Sequence, residues 1–129
     1  MGLTVHYTIS FTGTEKELTK KLEEIRNACM DLSFEEVGKV KSVSLNLLAG
    51  EGCENTNLNF EKHGKKWTCK SFTKTQYAKN FAKCHLLVIS LFDMLKENGF
   101  EVEIYDESDY WETRDLSNLA KNMAWFKTK

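Results

Sequence analysis

Period-two alternation opens the chain. Leu3, Val5, Tyr7, Ile9 and Phe11 alternate with Thr4, His6, Thr8 and Ser10, which predicts a strand with one apolar and one polar face. Gly13 ends that pattern, and Thr14-Glu15-Lys16-Glu17 is a capping-box sequence at the start of a helix. Leu18, Leu22, Ile25, Cys29 and Leu32 then recur on one helical stripe among charged residues, so the helix packs by one face. Phe34 to Val37 suggests a short strand, and Val43, Leu45 and Leu47 alternate with Ser42, Ser44 and Asn46 in a further one. After the break at Ala49 to Glu54, a hairpin is expected from Asn57-Leu58-Asn59-Phe60 and Trp67-Thr68-Cys69-Lys70 around His63-Gly64-Lys65.

A long helix is expected from Thr75 to Asn98, introduced by the capping pattern Thr73-x-x-Gln76 and closed by Gly99. Its apolar surface, from Phe81, Cys84, Leu87, Val88, Leu91, Phe92 and Leu95, is wide enough for a central core helix. Phe100, Val102 and Ile104 alternate with Glu101, Glu103 and Tyr105 in a last strand, and a short helix is expected from roughly Leu116 to Phe126. The order β-α-β-β-β-α-β-α implies one α+β domain over residues 1–129. The expected architecture is a two-layer sandwich, ferredoxin-like in style, with a mixed, mainly antiparallel sheet and helices on one face. The other sheet face would show Thr4, His6, Thr8, Ser10, Ser42, Ser44, Asn46, Asn57 and Asn59, polar groups with almost no charge. Such a face is either solvated or covered, by a ligand, a helix or a second copy.

Composition narrows the class. At 129 residues, 41% hydrophobic and 29% charged, the chain is ordinary soluble globular material that needs no metal or disulfide for a core. A net charge of −1 lacks the broad basic footprint of domains that bind long nucleic acids. Cys29, Cys53, Cys69 and Cys84 show no C-x-x-C spacing and read as buried free thiols of a reducing compartment. The longest apolar run, Leu86 to Ile89, is far below the ~20 residues of a membrane span, so no membrane partner and a cytoplasmic setting are expected. Proline is absent and Arg26 and Arg114 are the only arginines, which looks like an AT-rich coding bias.

Charge on the expected long helix runs against its dipole. Lys74, Lys79 and Lys83 fall near its start and Asp93 and Glu97 near its end. Each exposed like-charged side chain at a helix terminus costs ~0.3–1 kcal/mol, so an anion or carboxylates from elsewhere should offset it. An anion-binding reading assigns Lys74, Thr75, Gln76, Tyr77, Glu51, Cys53, Asp106, Trp111 and Arg114 to the site. An internal alternative comes from chain geometry. The last strand covers ~20 Å and runs back along a helix of about 34 Å. Asp106 to Glu112 should therefore emerge beside Lys79, Lys83 and His85.

His6, His85 and Glu112 are the acid–base candidates, His85 with Asp106 or Asp109 as its partner. Cys53 sits in a loop, but Glu51 and Glu54 disfavour its thiolate. Tyr77, Tyr110 and Trp111 offer a stacking wall of the kind a nucleotide or a short single strand uses. The acids match no calcium loop and the histidines no zinc spacing, so no metal or other cofactor is expected.

Several of these segments together carry a resemblance: Met1 to Tyr7 (MGLTVHY), Gly50 to Glu54 (GEGCE), Lys74 to Ala78 (KTQYA), Cys84-His85, and Tyr110 to Asp115 (YWETRD). In them the chain resembles a group of small uncharacterised bacterial proteins, of which it looks like a compact form. The resemblance implies kinship and adds no mechanism. The leading expectation is a binding domain for an anionic small molecule or an acidic partner. Its rivals are a hydrolase or transferase of a phosphorylated small molecule, and a homo-oligomeric regulatory protein joined through the polar sheet face.

Overall fold

The alternating N-terminal segment becomes the centre of the molecule. In a computed structural model, which describes residues 4–75, 81–107 and 110–114, it forms β1 (Thr4–Thr12). There follow α1 (Glu15–Met30), β2 (Glu36–Val37), β3 (Ser44–Leu48), β4 (Thr56–Asn59), β5 (Glu61–His63) and β6 (Lys66–Lys74). The described chain continues through α2 (Phe81–Glu97), β7 (Glu101–Asp106) and α3 (Tyr110–Thr113). Leu3 and the helix expected from Leu116 to Phe126 lie outside the described residues.

Antiparallel pairing gives a four-stranded sheet in the order β5-β6-β1-β7. β6 and β7 therefore run the same way on either side of β1, joined through α2, and β5 runs with β1 on the far side of β6. This is the ferredoxin-like arrangement of two split β-α-β units. Between α1 and β5 the chain inserts a second antiparallel sheet, β2-β3-β4, so the one expected sheet is in fact two. Val5, Tyr7, Ile9 and Phe11 of β1 share one core with Leu18, Leu22 and Ile25 of α1 and Val88, Leu91 and Phe92 of α2. Leu45, Leu47 and Leu58 of the second sheet belong to the same core. Burying each such side chain contributes about 1.5–3 kcal/mol.

The capping box of α1 is formed as expected. Thr14 Oγ1 accepts from the Glu17 N–H and Glu17 Oε1 from the Thr14 N–H, both at 3.1 Å. Leu32 does not continue the apolar stripe: the helix ends at Met30, and Leu32 beyond it is 39% exposed.

The hairpin around Gly64 (φ 65°) has a different outer arm from the expected one. Glu61 to His63 pairs with β6, whereas Asn57 to Asn59 pairs with β3. Phe60 is the crossing point, its N–H bound to the Val43 carbonyl at 3.1 Å. Ser44, Asn46, Asn57 and Asn59 thereby leave the polar face of the first sheet, which keeps His6, Thr8 and Ser10. Tyr7 ties the sheets together: its hydroxyl donates to the Asn57 carbonyl at 2.9 Å and accepts the Asn57 N–H at 3.1 Å. Burial pushes the Tyr7 phenol up to about 12, which keeps the donated proton in place.

β6 also runs further than expected. Thr73 and Lys74 are its last residues, paired with Val5 and Thr4, and not the cap of a helix. The nine-pair ladder with β1 decides the matter, since it buries Cys69 and Thr73 on the inner face in step with the strand period. No described helix is long and apolar enough to cross a membrane.

Candidate functional site

Two histidines meet two consecutive carboxylates where β1 and β7 pair. Asp106 lies opposite Val5 with its side chain on the inner face, and Glu107 follows it just past the strand, its N–H bound to the Thr4 carbonyl at 3.1 Å.

On the inner face, His85 of α2 is fully buried. Its Nε2 lies 2.8 Å from Asp106 Oδ2 and its Nδ1 2.9 Å from Thr75 Oγ1. Thr75, His85 and Asp106 are all 0% exposed. A carboxylate only accepts, which places a proton on Nε2; in the neutral ring Nδ1 then accepts from the threonine hydroxyl. Asp106 Oδ2 also accepts the Trp111 N–H of α3 at 3.1 Å, and the Tyr110 ring meets the His85 ring edge-on at 6.3 Å. One histidine thus joins the end of β6, α2, β7 and α3.

The Gly50–Glu54 loop docks on this assembly. Glu54 and Lys74 exchange bonds, the Glu54 N–H to the Lys74 carbonyl at 3.0 Å and the Lys74 N–H to Glu54 Oε1 at 3.1 Å. Thr73 Oγ1 donates to the Glu54 carbonyl at 3.0 Å. Cys53 Sγ points at the Glu54 and Lys74 carbonyls, at 3.3 and 3.5 Å. Burial above all, with the neighbouring Cys84, pushes the Cys53 thiol up to about 11, the reverse of an activated nucleophile. Gly50 approaches so closely that a β-carbon there would stand 2.5 Å from Cys84 Sγ. None of the four cysteines forms a disulfide, and all are buried.

The remaining expected site residues are dispersed. Lys74 is a half-buried strand residue, Glu51 is exposed in the loop, and Glu112 is exposed on α3. Arg114 (φ 55°) forms a two-pronged pair with Asp93, at 2.8 and 2.9 Å, and its guanidinium lies 4.7 Å from the Trp111 ring centroid. The Asp93 side of the dipole conflict is therefore offset within the protein. Gln76 and Tyr77 lie outside the described residues, as do Lys79, Asp109 and Asp115.

The outer face is open. His6 Nε2 meets Glu107 Oε2 at 3.1 Å, and Glu107 Oε1 accepts the Thr4 N–H at 3.1 Å, so the carboxylate is held from both sides. Pairing register sets Phe72, His6 and Tyr105 in one row across β6, β1 and β7. Their exposure is high: 49% for Phe72, 61% for Tyr105, and 44% for the His6 side chain. The His6 and Tyr105 rings are stacked on each other, 5.6 Å apart and 17° from parallel, while the Phe72 ring stands 6.0 Å from His6 at 44°. Lys70, Thr8 and Glu103 form the next row. Together these residues line a groove of about 560 Å³.

Phe72, Tyr105 and Glu103 are absent from the sequence-derived site. A signal for the two aromatics exists: each occupies an outward position in an alternating strand, where a large ring is not needed for packing. Among the described residues no three metal-ligating side chains converge. Compared with protein-family models, curated proteins and solved structures, the chain matches nothing.

Proposed function

We propose that this protein is a binding domain whose ligand is a small planar ring bearing a negative charge, of the nucleotide class, seated on the outer face of β6, β1 and β7. One observation carries the reading: two of the most exposed large apolar side chains, Phe72 and Tyr105, flank His6 in a single row of a sheet face that is otherwise polar. Exposed rings in a row are costly in water and useful in stacking, where each stacked base contributes about 1–3 kcal/mol. The groove volume of about 560 Å³ falls in the range of small-molecule sites. Lys70 supplies the positive charge at its edge.

Binding is favoured over catalysis at His85 because its ring is wholly enclosed and each nitrogen already holds a side chain. The test is calorimetric titration with nucleoside monophosphates, inorganic phosphate and a ring-free sugar phosphate. Saturable binding of the ring-bearing ligands alone, weakened at least tenfold by Tyr105→Ala or Phe72→Ala while the fold keeps nearly all of its thermal stability, is the expected result. Equal binding of inorganic phosphate, or indifference to both substitutions, would overturn it.

A further inference from the structure

The residues beside the aromatic row specify more than stacking. Thr8 is paired with Lys70 on one side and with Glu103 on the other. With strands ~4.8 Å apart, the backbones of the lysine and the glutamate stand about 10 Å from each other, and Glu103 lies about 7 Å along its strand from Tyr105. Both side chains line the groove. Among the described residues neither makes an ion pair, whereas the neighbouring Glu101 is held by Lys66 at 3.0 Å and Glu107 by His6 at 3.1 Å. A ring held in the groove against this aromatic row would thus have one free carboxylate at one edge and one free ammonium at the other.

Building on the nucleotide reading of the same groove, we infer that Glu103 reads a ring edge carrying adjacent N–H and NH₂ donors, the edge that guanine presents, while Lys70 holds the phosphate of a free guanine mononucleotide. A carboxylate offers two acceptor oxygens and no donor, so two parallel N–H groups satisfy it as the arginine fork does. The corresponding adenine edge sets a ring-nitrogen acceptor beside its amino group, and acceptor would face acceptor. A longer strand fits less well than a mononucleotide: Lys70 is the one lysine among the described residues that line the groove, so a single phosphate is matched there and further phosphates are not.

Calorimetric titration of the whole chain with GMP, IMP, AMP, guanosine and a trinucleotide with a central guanine separates the possibilities. GMP should bind at least tenfold more tightly than AMP, with IMP between them and the trinucleotide no tighter than GMP. Glu103→Gln should bring GMP to the level of AMP and leave AMP unchanged. Lys70→Ala should weaken GMP without affecting guanosine. Equal affinity for GMP and AMP, both lost in Tyr105→Ala, would overturn this inference and leave the stacking site standing. Absence of binding by every ring-bearing ligand would remove both. A trinucleotide that binds more tightly than GMP would overturn the mononucleotide assignment.

Discussion

Asp106 and Glu107 are neighbours, and each holds a histidine through Nε2, at 2.8 and 3.1 Å. Their surroundings are opposite. The Asp106–His85 pair has no solvent exposure, while the His6 and Glu107 side chains are 44% and 25% exposed. Burial changes what the same pair of groups does. In the interior a carboxylate left without its partner is severely penalised, so His85 becomes the fastening of four elements. At the surface water replaces a lost partner, so His6 and Glu107 contribute little to stability and are available to a ligand.

The largest effect should come from removing the buried partner. His85→Ala should destabilise the fold by about 3–5 kcal/mol, because it takes the histidine away from a carboxylate wholly enclosed in the interior, and His6→Ala by less than about 1 kcal/mol. Urea unfolding of both variants measures the contrast, and equal losses would show that the two pairs are not different in kind.

Gly50→Ala probes how tightly the loop sits on the buried assembly. Its β-carbon would meet Cys84 Sγ at 2.5 Å, and overpacking of this kind costs about 1–3 kcal/mol. Combining it with Cys84→Ala should recover part of that loss, giving a non-additive double-mutant cycle. Strict additivity would show that the loop does not bear on Cys84.

Alkaline pH should also act on the interior. Burial pushes the thiols of Cys29, Cys53 and Cys69 up from 9.0 to about 11. The folded chain holds these protons more tightly than the unfolded one, so the stability they represent is complete below about pH 9 and declines as the pH rises through 11. Urea midpoints should fall between pH 8.5 and about 10.5, and replacing Cys29 by Ala should lessen the slope. A midpoint flat across that interval would contradict the assigned burial effect.

The outer face should respond least in stability. Tyr105→Ala and Phe72→Ala remove half-exposed or more exposed rings, so melting temperatures should move by no more than about 2–4 °C, within ~0.5 kcal/mol. Differential scanning calorimetry tests this, and a large loss would mean that the rings serve the fold and not a ligand.

Much of the framework is legible in the sequence because it is local. Period two in residues 3–11, the Thr14–Glu17 box and the apolar stripe, apart from its last member Leu32, each specify their element within a few neighbours. Comparing the span of the last strand with the length of the helix also brings Asp106 to His85. Expectation and structure part where distant pairing decides. Thr73-x-x-Gln76 has the residues of a cap, but the ladder with β1 takes Thr73 and Lys74 into a strand. Asn57 to Phe60 alternates as a single strand would, and nothing within it marks Phe60 as the point where the chain changes sheets. His6 is recognisable without its partner, since Glu107 lies 101 residues away. Phe72 and Tyr105 form one row only once the register sets them on either side of His6.

Amide and histidine-ring NMR shifts recorded during a titration with GMP would locate binding directly. Perturbations should centre on His6, Thr8, Lys70, Phe72, Glu103 and Tyr105, with the ring signals of His85 unmoved. Shifts concentrated instead at Gly50 to Glu54, Lys74, Thr75 and His85 would place the ligand at the buried end of β6 and contradict the outer-face site.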